Sequence, residues 1–423
     1  MQILTHRGLW TTPQEQNTYS SIIEALQLGY GVELDVRDYN QEIAISHDMP
    51  NSSNTIVLLR EVFDFYKNLN YSPLLAFNLK SDGIKDKLKS LIKSYNIENY
   101  LIFDGSFPEI YRYAKDGLKV FVRQSEYELP AYCPAAKGIW LDSFDSDWFS
   151  AKLILDHLQN GMQVAIVSPE LHSRDYRECW QLIGALLQEI DSNLHSKIIL
   201  CTDHPVLAAK YFNLPYIKAL ICDMDGVLIE AKEWHYESLN KALSVFDQEI
   251  TRLEHETVLD GLPTKTKLQF LAEQNRINQQ DFKAIEDLKH KYLIEIAKAT
   301  CTPTSQHIYM LDRLKRLGFS LVVCSNSIRP TVDLFLTLAK VKNYFNFTLS
   351  NQDVTNPKPD PEIYDIAISK LELRPLECLI VEDNFNGIRA AQQSGACVFI
   401  INTIDDLNYQ SVLNEIQKTR SII

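Results

Sequence analysis

In ALICDMDGVLIE (219–230), four apolar or small residues run up to Asp223, and Asp225 and Gly226 then turn the chain. An apolar run closed by a glycine turn reads as a buried strand. Two acids spaced two apart at its carboxyl end can converge on one point. Upstream, HPVLAAKYFNLPYIK (204–218) carries two prolines and gives way to this strand, so a domain boundary belongs there.

Downstream, strands are expected at SLVVCS (320–325), FTLS (347–350), CLIVED (378–383) and CVFIIN (397–402), with a nearly all-helical stretch over 232–305. This predicts an α/β fold, a Rossmann-like parallel sheet with a helical cap inserted after its first strand. By position the cap lies over the carboxyl ends of the strands, where such sheets bind ligands. The first half alternates strands with amphipathic helices such as SSIIEALQLG (20–29) and RECWQLIGALLQEI (177–190). Its candidate strands are QILTH (2–6), GVELDV (31–36), EIAIS (42–46), LLAFNLK (74–80), YLIFD (100–104), LKVFVR (118–123), GIWLD (138–142), QVAIVS (163–168) and KIILCTD (197–203). Alternation implies a parallel sheet, and about eight units in roughly 210 residues favour a (β/α)8 TIM-type barrel over an open sheet. The expected domains are 1–212 and 218–423.

Length and composition agree with this division. A chain of 423 residues holds about two or three domains. A net charge of −13 argues against a general nucleic-acid binder, but not against small phosphorylated substrates, because a bound divalent cation inverts the local field. The eight cysteines form no C-x-x-C pair and several lie in apolar runs, as free thiols in a reducing cytoplasm do. No basic-then-apolar leader precedes QILTH, and no apolar run reaches the ~18 to 20 residues of a membrane span. A cytoplasmic protein is the expectation.

Three further segments complete the chemistry begun at Asp223. CSNS (324–327) ends a strand with Ser325, a hydroxyl donor for a phosphate oxygen. NPKPDPEIY (356–364) holds Lys358 between prolines, and IVEDNFNG (380–387) ends a strand with Glu382 and Asp383, hard oxygen ligands suited to Mg²⁺. Any one of these is a common loop. In this order, three of the four at strand ends, they resemble the haloacid dehalogenase superfamily, in its phosphatase and β-phosphoglucomutase-like branch with a helical cap. The resemblance covers about 218–410. It implies that Asp223 attacks phosphorus, that Asp225 protonates the leaving oxygen and then activates water, and that Ser325 and Lys358 bind the phosphoryl group. It also implies Mg²⁺ on Asp223, the main-chain carbonyl of Asp225, and Asp383, with Glu382 close by. Asn326 and Arg329 stand as candidates for a phosphate or polyol, or for a helix start. In the cap, His235, Thr264 and Lys265 are the substrate-side candidates.

The first half carries a second polar constellation. THRGLW (5–10) ends a strand with His6 and Arg7, GVELDVRD aligns Glu33, Asp35 and Arg37, and EIAISHD ends in His47 and Asp48. Such residues at carboxyl ends are where barrel enzymes keep their chemistry. Two histidines, two carboxylates and an arginine suggest metal-assisted cleavage of a phosphate ester. HRG, QNT (16–18), ELDV, SHD and TDHP (202–205) resemble, in order, the glycerophosphodiester phosphodiesterase family across 1 to about 210. The resemblance implies acid–base work by His6 and His47, and a cation on Glu33, Asp35 and a third carboxylate. Here AFNLK puts Asn78 at that third position and keeps Lys80, and Gln16 replaces a glutamate.

Three readings follow from Asn78. A weaker Ca²⁺ or Mg²⁺ site survives on Glu33, Asp35 and the amide oxygen; Asp142 or Glu126 supplies the missing charge; or Arg7 and Lys80 stabilise charge without a metal. NLKSDG is also similar to a variant in diesterase-like proteins associated with bacterial surface-polysaccharide gene sets. The joint expectation is a bifunctional phosphoester hydrolase, a phosphatase for a small sugar or polyol phosphate fused to a phosphodiesterase-like barrel. The alternatives are a phosphomutase second half, or an inactive barrel used for binding.

Overall fold

Val32, Leu34 and Val36 are fully buried on one face of the second strand, and Glu33 and Asp35 are equally buried on the other. Burial on both faces is what a parallel strand inside an α/β layer requires. The computed structural model describes residues 1–50, 56–259 and 261–419, which divide into two compact units, Met1–Tyr216 and Ile217–Thr419. The second expected domain runs to 423, so its last four residues lie outside the described ones.

In the first unit, β1 (Gln2–His6) pairs in parallel with β2 (Gly31–Tyr39), and β3 (Glu42–Ile45) and β4 (Val57–Leu58) follow. The others are β5 (Leu75–Leu79), β6 (Tyr100–Phe103), β7 (Phe121–Gln124), β8 (Gly138–Leu141), β9 (Gln163–Val167) and β10 (Ile198–Thr202). Parallel pairing runs from β2 to β5 and β6, through an Ile102–Val120 bridge to the edge of β7, then along β8, β9 and β10. β10 pairs with β1.

The sheet is nevertheless mixed, with ten strands, and this corrects the all-parallel expectation. EIAIS does not start a new parallel unit: β3 folds back antiparallel on β2, and β4 pairs antiparallel with β3. The cause is the two-residue turn Asn40–Gln41, where both residues adopt positive φ (44° and 63°). That is the geometry of a tight hairpin, built here without the glycine that usually announces it.

Alternate residues of the parallel strands, among them Leu4, Ala76, Phe103, Phe121, Trp140, Val167 and Cys201, form one buried cluster. Side chains two apart share a face. Continuing from that cluster toward the carboxyl ends leads to His6, to Asn78 and Lys80, to Arg123, to Asp142 and to Asp203. The strand register adds Glu33 and Asp35, which pair with Ala76 and Asn78.

The second unit is a five-stranded parallel sheet: β11 (Ala219–Cys222), β12 (Ser320–Cys324), β13 (Phe347–Leu349), β14 (Cys378–Glu382) and β15 (Cys397–Ile400). The order β13-β12-β11-β14-β15 reverses direction at β11, which places the topological switch at Asp223. The cap comprises helices including Lys232–Ser244, Thr264–Glu273 and Phe282–Thr300, with its own core around Leu239, Leu243, Leu268, Leu271 and Ile285. Among the described residues, no helix is long and apolar enough to cross a membrane. All eight cysteines are free, and all but Cys301 are buried.

Candidate functional site

Asp223 follows β11 directly, and its N–H donates to the Val381 carbonyl (3.0 Å), continuing the pairing with β14 one residue past the strand. Its side chain is thereby fixed beside the end of β14, where Glu382 and Asp383 stand. Ligand oxygens of Asp223, Glu382 and Asp383 all lie within 4.8 Å of one another. Gly226 makes this possible. It turns the chain at φ +87°, and a Cβ there would lie 2.1 Å from Asp383 Oδ2.

Lys358 enters from the loop before helix Glu362–Lys370 and is 2% exposed. Its Nζ donates to Asp223 Oδ1 (2.5 Å), Glu382 Oε1 (2.7 Å) and the Cys324 carbonyl (2.8 Å). Tyr364 donates its hydroxyl to the same Glu382 oxygen. Against burial, which alone would strip its proton, Asp223 and Glu382 raise the Lys358 pKa and hold it charged. Burial pushes the Asp223 carboxyl upward, Lys358 opposes this, and the neighbouring acids Glu382, Asp383 and Asp225 add to the push.

Asp225 is held by a different set. Ser327 Oγ donates to its Oδ2 (2.9 Å), Ser325 Oγ lies 3.4 Å from the same atom, and His235 Nε2 is 3.1 Å from Oδ1. Burial alone would raise the Asp225 pKa, but His235 and the Ser327 hydroxyl bring it below the ordinary carboxylate value. His235 in turn receives Lys289 Nζ on Nδ1 (3.1 Å). Burial and the nearby Lys267 push Lys289 down to about 7.

All of this opens on a cavity of about 490 Å³ lined by Asp223, Asp225, Asn326, Ser327 and Lys358 from the core, and by Lys265, Lys267, Lys283 and Lys289 from the cap. Asn326 does not face it simply as a phosphate donor. Its amide bonds the Gly261 carbonyl of the cap (2.9 Å) and both backbone groups of Lys358, so it joins cap to core. Arg329 is occupied elsewhere, on Thr348 and Asp353. Ser327, Lys232 (2.6 Å from Asp383 Oδ2), Lys267 and Lys289 escaped the sequence reading. A lysine on a cap helix looks like any solvated helix face, and only the packing of Lys232–Ser244 against Phe282–Thr300 turns Lys289 inward.

Residues 220–401 match the haloacid dehalogenase-like hydrolase family. The second half of this chain is a haloacid dehalogenase-like hydrolase domain. Similar proteins include pyrophosphatase PpaX of Bacillus velezensis, 28% identical over 180 residues, which are 42% of this chain and 80% of that protein. A phosphorylated carbohydrates phosphatase of Thermotoga maritima is 26% identical over 182 residues, 42% of this chain and 82% of the relative. Among solved structures, a β-phosphoglucomutase of Clostridium difficile covers 48% of this chain and 98% of its own, at 18% identity and a TM-score of 0.43. Asp223, Asp225, Asn326 and Lys358 line the pocket, and Ser325, Glu382 and Asp383 stand directly against them.

The first unit gathers its own set, outside the matched region. His6 Nδ1 pairs with Asp203 Oδ1 (3.0 Å). Arg7 Nε lies 2.7 Å from Asp35 Oδ2, which also accepts from Asn17 Nδ2 (2.8 Å), and Lys80 Nζ is 3.3 Å from Asp35 Oδ1. Arg7 also reaches Gln16 Oε1 (3.3 Å). Asn78 Nδ2 donates to Glu33 Oε1 (2.9 Å). The rim continues through Lys80–Asp104 (4.0 Å), Arg123–Asp104 (2.8 Å) and His172–Asp142 (2.8 Å).

One of the three readings of Asn78, that Asp142 or Glu126 supplies the missing charge, can be compared with this geometry. Asp142 is engaged by His172, and Glu126 accepts from the N–H groups of Phe144, Asp145 and Ser146, so each carboxylate has another task. His47 is half exposed and bonds its neighbour Asp48 (2.8 Å). Among the described residues no side-chain hydrogen bond joins it to His6, Glu33 or Asp35. Asp203, Asp104, Arg123 and His172 were not singled out, although KIILCTD, YLIFD and LKVFVR already end in charge.

Proposed function

We propose that this chain is a hydrolase of phosphoric esters whose second unit releases phosphate from a small sugar or polyol phosphate through Asp223. The observation that carries this reading is a buried carboxylate beside an acid–base partner, Asp225, at the floor of a lysine-lined cavity. The names of the relatives, a pyrophosphatase and a phosphorylated carbohydrates phosphatase, support the same bond class.

An Asp223 oxygen attacks phosphorus in line, the bond to the leaving oxygen breaks, and Asp225 in its protonated form gives that oxygen its proton and is left as the carboxylate. Lys358 balances charge on the phosphoryl oxygens. Asp225 then takes a proton from water as it attacks, and Asp223 is released. The convergence of three carboxylates fits Mg²⁺, which Asp223, Asp383 and the Asp225 carbonyl would hold with Glu382 close by. When bound, it supplies positive charge to the transferring group. Phosphate release from a panel of sugar and polyol phosphates is expected with Mg²⁺ and not with a chelator. Release that instead demands a sugar bisphosphate activator, with isomerised sugar phosphate as product, would replace the phosphatase by a mutase.

For the first unit, a closed (β/α)8 barrel is the reading supported by pairing that runs from β1 around to β10 and back. Its polar rim supports a phosphodiesterase acting on a glycerophosphodiester-type substrate. Glu33 Oε2 and Asn78 Oδ1 are buried acceptors without a hydrogen-bond donor, and with Asp35 Oδ1, which faces only the Lys80 ammonium at 3.3 Å, they fit Ca²⁺ or Mg²⁺ with an amide oxygen as third ligand.

Burial first, and Asp35 next, raise the Glu33 pKa to about 7, with His6, Asn78 and Arg7 opposing. A carboxyl raised on folding contributes stability at low pH and loses it as pH rises through the folded value. Without divalent cations, the first unit should therefore lose on the order of 3 kcal/mol between about pH 5 and 8. Ca²⁺, which binds the ionised form, should flatten the profile in thermal melts. Glu33→Gln should abolish the slope; a slope that survives it assigns the titration to another group.

A further inference from the structure

The barrel rim holds a second imidazole–carboxylate pair besides His6–Asp203. Asp142 continues the inward-facing register of β8, two residues beyond Trp140 of the buried cluster and one past the strand's end. It is 6% exposed, and its Oδ1 accepts from His172 Nε2 (2.8 Å) and the Ser143 N–H (2.9 Å). The segment is braced: Trp148 Nε1 donates to the Asp142 carbonyl (2.8 Å), and Arg174 donates to Ser143 Oγ (2.8 Å). His172 stands just beyond β9, its ring 4.8 Å from Phe144. Among the described residues its Nδ1 has no hydrogen-bond partner. The two pairs share one end of the fold, because Asp142 and Asp203 each follow the carboxyl end of a strand, β8 and β10, in the same parallel run.

They stand on different walls. His6 pairs in register with Glu33, whose Oε2 has no hydrogen-bond donor. In the pairing order β8 is separated from β2 by β5, β6 and β7 on one side and by β9, β10 and β1 on the other, so Asp142 stands across from the carboxylates of β2. Displacement at phosphorus is in line, with the attacking and leaving oxygens on opposite sides.

We propose that His172, oriented by Asp142, is the proton donor to the leaving alcohol of the barrel reaction, opposite His6 as the base. The inference rests on the phosphodiesterase reading above. His6 takes a proton from the attacking water or hydroxyl, the new P–O bond forms, and the bond to the alcohol oxygen breaks. That oxygen receives the Nδ1 proton of His172, whose Nε2–H stays on Asp142.

A structural role for His172 would slow all substrates alike, so the test varies only the leaving group. The full chain carrying Asp223→Asn is assayed on glycerophosphocholine and on the p-nitrophenyl ester of glycerol 3-phosphate, whose leaving anion departs without a proton. His172→Gln should cost about 10²-fold or more on the choline ester and under about tenfold on the nitrophenyl ester. Asp142→Asn should show the same pattern more weakly. Equal losses on both esters, no loss, or leaving-group dependence in His47→Ala instead would overturn the proposal. If the unsubstituted barrel cleaves neither ester, the phosphodiesterase reading itself fails, a distinguishable outcome.

Discussion

Asp223→Asn should stop phosphate release from every phosphomonoester, by more than ~10⁴-fold, and leave diester cleavage untouched. The amide keeps the shape of the carboxylate but has no nucleophilic oxygen of comparable basicity, and it gives up one ligand charge at the cation site. The fold should survive, because Lys358 keeps Glu382 (2.7 Å) and the Cys324 carbonyl (2.8 Å) as partners. The loss is expected in kcat, measured by phosphate release under Mg²⁺ saturation, with a melting temperature close to the unsubstituted chain. Activity within tenfold of normal would remove Asp223 as nucleophile. Loss of diester cleavage along with phosphate release would contradict two separate sites.

The second unit was legible because its chemistry is local to strand ends. Each acid or hydroxyl there follows an apolar run of four or five residues, and parallel strands place their carboxyl ends on one edge. What sequence could not deliver was the cap. Lys289 and Lys267 sit on helices with weak patterns, and their inward placement depends on which faces pack around Leu239, Leu268 and Ile285. The first unit shows the opposite failure. EIAIS has the alternation of a strand, but periodicity carries no direction, and the hairpin at Asn40–Gln41 lacks glycine. The rim was only partly legible for a related reason: HRG, ELDV and SHD stand out as motifs, whereas the inward register runs on equally to Arg123 and Asp203. A rule applied to every strand, two residues at a time from the apolar core, reaches them all.

Lys358→Met is expected to do two kinds of damage that can be separated. Methionine fills nearly the same volume, yet it leaves Asp223 and Glu382, 5% and 0% exposed, facing each other without a cation. Breaking a buried ion pair from one side costs about 3–5 kcal/mol, because the remaining charge stays buried. For a unit of about 200 residues each kcal/mol moves the melting temperature by about 2–4 °C, so a fall of roughly 6–20 °C is expected. Mg²⁺ should recover part of it, since the ion returns charge to Asp223. Adding Glu382→Gln should recover more, because it removes one of the two stranded carboxylates. Neither should restore phosphate release, for which an ammonium must meet the phosphoryl oxygens. A double variant that regains both stability and turnover would reduce Lys358 to a structural counter-ion. An unchanged melting temperature in Lys358→Met would mean that the pocket takes up protons in place of the lysine, and the carboxylates would then be neutral where the mechanism needs them charged.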